Sequence, residues 1–347
     1  MKLQTLKSIM QQLNIDHWGA LYIDQKLARK IWLREKEIYT KLKMEMPLEF
    51  EFPADERFMY YRGDVQLPLS EKTLISIGVP YSVKKTSSEG MCRVDCSAWG
   101  FDYHHDIKTK LKWIEEQLAV YSAVTPEICV DTSRYIDREI GFYTGLGAYA
   151  KNHMLTHERY GSHFHIGYLI YDGKLNVPDA ITSDIDLEND QFSGCLTCSL
   201  CEKACPAMIC GDYYRMNREA CVSYLTQKKG ELTSAEKSRM GQNLYGCDVC
   251  QWICPFNRES DALVYGMPYI DPVRLLGMSN KGFKTEFGSM GFSWRPLWIY
   301  KRNAIINLIN MNRPETKEIL ASHADLFKSD RITETYIWAN QTVDKKK

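Results

Sequence analysis

Nine of the chain's twelve cysteines fall between Cys195 and Cys254, and their spacing constrains the fold more than any other feature. Cys195, Cys198, Cys201, Cys205 and Pro206 follow the C-x2-C-x2-C-x3-C-P pattern. In the bacterial ferredoxin run of this form, the fourth cysteine ligates the other cluster. Three closely spaced thiolates wrap one face of a cubane. The next helical turn carries the fourth toward its neighbour, and the proline ends the regular backbone. A second run, Cys247, Cys250, Cys254 and Pro255, is one cysteine short, and Cys221 upstream supplies it. The count then closes. Cys195, Cys198, Cys201 and Cys254 hold one 4Fe–4S cluster; Cys205, Cys221, Cys247 and Cys250 hold the other. Zinc is the competing use of C-x2-C pairs, but the first run fits one tetrahedral ion poorly. Disulfides need an oxidising compartment. The first nineteen residues lack the apolar core and cleavage site of a signal peptide, so a cytoplasmic setting is expected. Cys92, Cys96, Cys129 and Cys210 read as free thiols.

The remaining sequence is that of an ordinary globular protein. Its 347 residues give a prior of about two domains, or one large domain with attachments. Lys+Arg and Asp+Glu both number 44, so a globally basic nucleic-acid binder is not indicated. No apolar stretch approaches the ~18 residues of a membrane span. Leu6, Ile9, Met10 and Leu13 recur at helical spacing. Strands are expected at Trp18 to Ile23, Thr73 to Tyr81, Glu127 to Asp131 and His165 to Asp172, and a helix at His105 to Ala123. The fold class is therefore α+β. Residues 172–190 carry six acids against one base and read as a solvated acidic linker. The organisation expected is an α/β cofactor domain (1–190), a double-cluster ferredoxin-like module (191–265) and a basic helical C-terminal region (266–347). In the last, helices are expected at Trp298 to Asn312, after Pro314, and at Arg331 to Asn340. No GxGxxG and no P-loop occurs, so a dinucleotide site has no motif support. Two adjacent cubanes make an electron wire, and a redox centre is expected at its end.

Several segments together resemble the epoxyqueuosine reductase family, cobalamin- and iron–sulfur-dependent enzymes that finish the queuosine base in tRNA. They are GFDYHHDIKTKL (Gly100 to Leu111), ICVDTSRYIDRE (Ile128 to Glu139), GLGAYAKN (Gly145 to Asn152), GCLTCSLCEKACP, CVSYLT (Cys221 to Thr226) and GQNLYGCDVCQWICPFN (Gly241 to Asn257). The likeness covers roughly residues 74–260. It implies two-electron removal of an epoxide oxygen by Co(I) cobalamin fed through the two clusters. It also implies base-off cobalamin, a tRNA partner and an external low-potential electron donor; separately, no membrane association and a monomer are expected. The proton donor falls on Asp131. At the end of an apolar strand a loop presents such a side chain to a site, and partial burial would keep it protonated. The competing role is a helix cap. By position Ser223, Asp248, Leu155, Ile166, Tyr103 and Arg62 carry over as cobalamin contacts, with His104 beside them. Asp102-Tyr103-His104 nearly spells the D-x-H-x-x-G motif of a lower histidine ligand, but the final glycine is missing.

The first ~70 residues depart from the family pattern, Met44 to Asp64 most of all. Basic clusters at Lys108, Lys110 and Lys112, at Lys228 and Lys229, at Lys301 and Arg302, and at Lys345 to Lys347 are candidate phosphate contacts. Two other functions compete: a corrinoid reductase acting on a small molecule, resembling reductive dehalogenases, and a plain two-cluster electron carrier.

Overall fold

The structure is a computed structural model. It describes residues 3–41, 71–81, 89–131, 133, 135–177, 181–183, 185–188, 190–213, 216–257, 269–325 and 330–345. Arg62 and the divergent stretch 44–64 lie outside the described residues.

The apolar runs read from sequence build one four-stranded sheet. Trp18–Ile23, Lys72–Pro80, Phe164–Asp172 and Glu127–Val130 lie side by side in that order, all antiparallel to their neighbours. Alternate residues face opposite layers, as a pleat of period two requires. Leu21, Ile23, Leu74, Tyr168 and Ile170 face the helices Gln25–Lys41 and Asp137–Tyr143. Ala20, Ile75, Ile77, Leu169 and Tyr171 face Gln4–Gln12 and Tyr103–Leu118. Both faces are covered, which is why the central strand Lys72–Pro80 is almost continuously apolar. The helix Tyr103–Leu118 lies close against the sheet. A Cβ at Gly167 would stand 2.3 Å from Ile107 Cγ2, so only glycine admits this approach. That packing fixes the helix start, where Asp102 to His104 lie.

The cysteine module and the C-terminal helices form one further core, and the N-terminal region contributes to it. The short strand Cys92–Val94 pairs in parallel with Asn243–Tyr245 and antiparallel with Tyr269–Ile270. This pairing crosses the expected boundaries at 190/191 and 265/266. Val94, Leu244, Phe292, Tyr300 and Ile305 share this core.

The helix Leu297–Met311 is buried on all sides. Arg302 donates to the carbonyls of Leu225 (3.3 Å), Lys228 (2.7 Å) and Gly230 (3.1 Å). Asn303 donates to those of Thr226 (2.7 Å) and Leu244 (2.8 Å). Lys301 and Arg302 are buried, so this expected basic cluster is a structural clamp and not a phosphate-binding face.

The acidic linker is also corrected in part. Leu175, Val177 and Ile181 are buried in the sheet's core, and Asp190 is buried against Arg34 at 2.7 Å. The same guanidinium reaches Glu139 at 3.4 Å. The linker is thus strapped to the helix Gln25–Lys41, which the sequence reading had not identified. Among the described residues, no helix is long and apolar enough to cross a membrane.

Candidate functional site

The cysteines sort into two groups by the cavities they line. Cys195, Cys198, Cys201 and Cys254 surround a cavity of about 20 Å³ with Leu200, Pro255 and Phe256. Three of these come from the first motif and one from the second. They meet because the short helices Leu200–Ala204 and Val249–Trp252 pack against each other. Gly194 permits the contact, since a Cβ there would fall 2.2 Å from the Phe256 ring. Lys151 Nζ holds the loop through the Cys198 carbonyl at 2.9 Å and pairs with Glu202 at 3.2 Å.

Cys205, Cys221, Cys247 and Cys250 line a much larger cavity of about 460 Å³. This grouping has the same cross-motif form as the ligand sets expected from spacing. With Cys210, which also lines it, five thiols face the larger cavity and four the smaller, a soft donor set that suits iron–sulfur clusters. Cys210, left over in the count, lines the larger cavity beside Cys205 and Cys250. Its thiol hydrogen-bonds Cys201, Cys205 and Cys250. That contact is the largest cause bringing Cys205 down to about 5 and Cys201 down to about 7. Cys92 is a core residue instead, its thiol pushed up to about 12 by burial.

Asp131, Tyr103, Ile166 and Ser223 line the same large cavity. Asp131 follows the strand Glu127–Val130 with φ 51°, a left-handed turn that aspartate tolerates. Its Oδ2 accepts from the Tyr103 hydroxyl at 3.2 Å and contacts His104 Nε2 at 3.2 Å. The Asp131 side chain is 51% exposed, so the expected partial burial is not found. The turn throws the carboxyl outward, where the Tyr103 hydroxyl and the His104 ring are its neighbours. Asp102 caps the helix through the His104 N–H at 3.0 Å and meets His104 Nδ1 at 2.6 Å. Both ring nitrogens of His104 are thus engaged, so it is not held ready as a metal ligand.

Two expected contacts do not line the cavity. Leu155 is in the sheet's core. Asp248 is buried behind it, accepting the Cys96 N–H at 3.0 Å with Arg93 at 3.8 Å. The cavity instead includes residues that the sequence reading missed: Tyr81, Asp95, Asp137, Arg138 and His165. Burial pushes Asp137 up to about 7, despite the Tyr168 hydroxyl bonded to it at 2.7 Å. Burial, with Asp248 nearby, raises Asp95 to about 6. Burial lowers His165 to about 4, so the ring stays neutral, stacked on Tyr103 at 3.8 Å. His165 opens a strand that was read only as apolar, and Asp137 follows the Val-Asp-Thr segment by a few residues. These positions were visible; their burial was not.

Comparison with known proteins decides the family. The family model described as "Epoxyqueuosine reductase QueG, DUF1730" matches residues 63–132, and that of a "4Fe-4S double cluster binding domain" matches residues 194–257. An epoxyqueuosine reductase of Lactococcus garvieae (strain Lg2) is 30% identical over 290 residues, 79% of each chain. The chain belongs to the epoxyqueuosine reductase family.

Solved structures agree. An epoxyqueuosine reductase with an epoxyqueuosine-modified tRNA-Tyr stem loop superposes with a TM-score of 0.75 at 27% identity, covering 98% of this chain and 89% of that one. Another, from Bacillus subtilis, has its aspartate-bearing catalytic loop swung out of the active site. It superposes with a TM-score of 0.71 at 26% identity, covering 98% and 89%. For an epoxyqueuosine reductase family member, the cavity shared by Asp131 and the second cysteine group is the part to be explained chemically.

Proposed function

We propose that this chain removes the epoxide oxygen of epoxyqueuosine in tRNA, using two 4Fe–4S clusters and cobalamin. The carrying observation is that Asp131 and the four thiols Cys205, Cys221, Cys247 and Cys250 line one cavity. Its volume of about 460 Å³ lies within the ~300–1,000 Å³ usual for ligand sites. Its walls suit the reactive face of a large planar cofactor. Ile136, Met154, Phe164, Ile166 and Val222 are apolar, while Arg138, Ser223 and Asn152 offer polar contacts. Cobalamin, when bound there, supplies a strongly nucleophilic metal that accepts electrons from the adjacent cluster.

The chain's own residues do the rest. An epoxide opens readily only if its oxygen gains a proton as the C–O bond breaks, and a positioned acid speeds such a step by about 10²–10⁴-fold. Asp131 holds that proton. Tyr103, whose hydroxyl is kept protonated by burial, orients the carboxyl through Oδ2. The group Cys195, Cys198, Cys201 and Cys254 holds the outer cluster, with Leu196, Leu200 and Ile253 exposed near it. Electrons enter there from an external low-potential donor. A plain electron carrier would have no use for an acid on the cavity rim, and this supports the reductase reading.

The test is an anaerobic single-turnover assay with reconstituted protein, a chemical reductant and epoxyqueuosine-containing tRNA, with and without cobalamin. Mass spectrometry of the digested nucleosides should find cobalamin-dependent loss of one oxygen. Asp131→Asn should keep its iron and lose turnover. Bound cobalamin with an intact epoxide would move the substrate elsewhere, and no cobalamin binding would sink the reading.

A further inference from the structure

We propose that Asp102, His104 and Asp131 form a proton relay that reloads Asp131 from solvent during one catalytic cycle. It rests on the reading under Proposed function and addresses what that reading leaves open, the second proton. Removing the oxygen converts the epoxide to a carbon–carbon double bond. Two C–O bonds break, one π bond forms, two electrons and two protons enter, and water leaves. The electrons come from a one-electron donor protein of low potential by way of the clusters. A single carboxyl stores one proton. The other must arrive while the substrate is seated.

The three side chains are placed in series. Asp102 Oδ1 lies 2.6 Å from His104 Nδ1, and His104 Nε2 lies 3.2 Å from Asp131 Oδ2. Side-chain exposure runs 53% at Asp102, 27% at His104 and 51% at Asp131. Asp102 and Asp131 are thus about equally exposed at the two ends of a ring that is about three-quarters shielded, and of the two Asp131 lines the cavity. Two features hold the ring in line. Asp102 caps the helix Tyr103–Leu118, so its carboxyl cannot swing away without uncapping the His104 N–H. Tyr103 stacks on the imidazole at 4.2 Å and on His165 at 3.8 Å. An imidazole can take a proton at Nδ1 and release another at Nε2, which a fixed amide cannot do.

The electrostatics favour a loaded ring. Hydrogen bonding to Asp131, then to Asp102, raises His104 above its ordinary value, against some desolvation. Asp137 faces the same group, while His165 opposes it only weakly because burial keeps it neutral. Tyr103 remains a neutral hydroxyl. In the open site the raised value favours a protonated His104 ring beside the Asp131 carboxyl. A substrate that covers the rim removes water, and desolvation favours the neutral forms, carboxylic acid and imidazole. The proton then sits on Asp131, against the epoxide oxygen. Once given up, it is replaced through Asp102 and His104, and the second proton leaves with the oxygen as water. His104 is a positioning residue here, acting through Asp131.

Two measurements test this. In cofactor-free protein, nitrogen-detected NMR should find the His104 ring titrating above 6.5 and falling in Asp131→Asn and in Asp102→Asn. Asparagine still caps the helix, so the second variant should fold. In the loaded enzyme, the single-turnover rate should fall as pH rises through the value found by NMR. His104→Gln should be slower by about 10²-fold and lack that dependence, and Asp102→Asn should move the fall to lower pH. Added imidazole should partly restore His104→Ala. A His104→Gln enzyme with the wild-type rate and pH profile would overturn the relay, as would a ring titration indifferent to Asp131→Asn. If the wild-type chain leaves the epoxide intact, the function has failed, and the ring titration still decides separately whether the three groups share a proton.

Discussion

The cavity linings make a prediction about pairs of cysteines that single substitutions cannot. Cys254 is placed with Cys195, Cys198 and Cys201, and Cys205 with Cys221, Cys247 and Cys250. On the proposed function each group is one cubane's four ligands, and each cubane carries about four irons. Cys198→Ser with Cys254→Ser removes two ligands from the same group. About four irons per chain should remain, with the spectrum of one intact 4Fe–4S cluster. Cys205→Ser with Cys250→Ser should behave likewise. Cys198→Ser with Cys205→Ser removes one ligand from each group and should leave almost no stable iron, although both residues belong to one sequence motif. Anaerobic reconstitution, iron and sulfide analysis and EPR of the reduced protein read the result. If each motif held its own cluster, the outcomes would invert. The Cys198/Cys205 pair would keep about four irons and the Cys198/Cys254 pair none, and the cavity argument would be refuted.

Three further outcomes follow from the packing. Arg34→Ala leaves Asp190 and Glu139, with side chains 4% and 11% exposed, without their guanidinium; breaking such a pair typically costs about 3–5 kcal/mol. A urea-unfolding loss below about 1 kcal/mol would show that the linker is not strapped as described. Asp137 is held up to about 7 against its ordinary 3.8, so the folded chain keeps a proton that the unfolded chain has released between these values. Through this group stability falls as pH rises from about 4 to about 7. Asp137→Asn should shrink the difference in urea midpoint between pH 5 and pH 7.5, and an unchanged difference would count against the buried acid. Cys210→Ala should retain both clusters and lower a cluster potential in an EPR-monitored redox titration. Hydrogen bonds to cluster sulfurs favour the more negative, reduced state, and Cys210 contacts thiols of both groups. Loss of about four irons instead would make Cys210 a ligand.

How much could be read beforehand depended on how local the signal was. The strands Trp18–Ile23 and Phe164–Asp172 and the helix Tyr103–Leu118 carry their own periodicity, and each lies within a few residues of its expected place. The helix Gln25–Lys41 escaped because, among its described side chains, only Leu27, Ala28, Ile31 and Ile38 are buried along a stretch in which eight of seventeen residues are charged. The strand Cys92–Val94 had no local signature at all. Three residues pair with a partner about 150 positions away, and only the assembled core makes them a strand. Charge was misleading in the same way. Arg302 reads as surface-basic until the carbonyls of 225, 228 and 230 are seen around it. Cysteine spacing is different because the chemistry of a cluster fixes it, so a double-cluster module can be read without the fold.

The site's acids show the same division with a sharper consequence. The sequence motif singles out Asp131, with burial expected to hold its proton. The left-handed turn exposes it, and the residues that burial raises are Asp137 and Asp95 instead. On the proposed function this division has a physical use. Electrons reaching a partly enclosed cavity add negative charge where the dielectric is low, so each must be matched by a proton. An acid buried like Asp137, held up to about 7, is only about half ionised at pH 7 and adds less standing charge to the cavity than an ordinary carboxylate. An exposed acid tied to an imidazole can instead exchange its proton with water within a turnover. Burying Asp131 would hold its first proton more firmly and cut off the second. The rim position, with Asp102 and His104 behind it, is where a carboxyl has to stand if one residue is to deliver both.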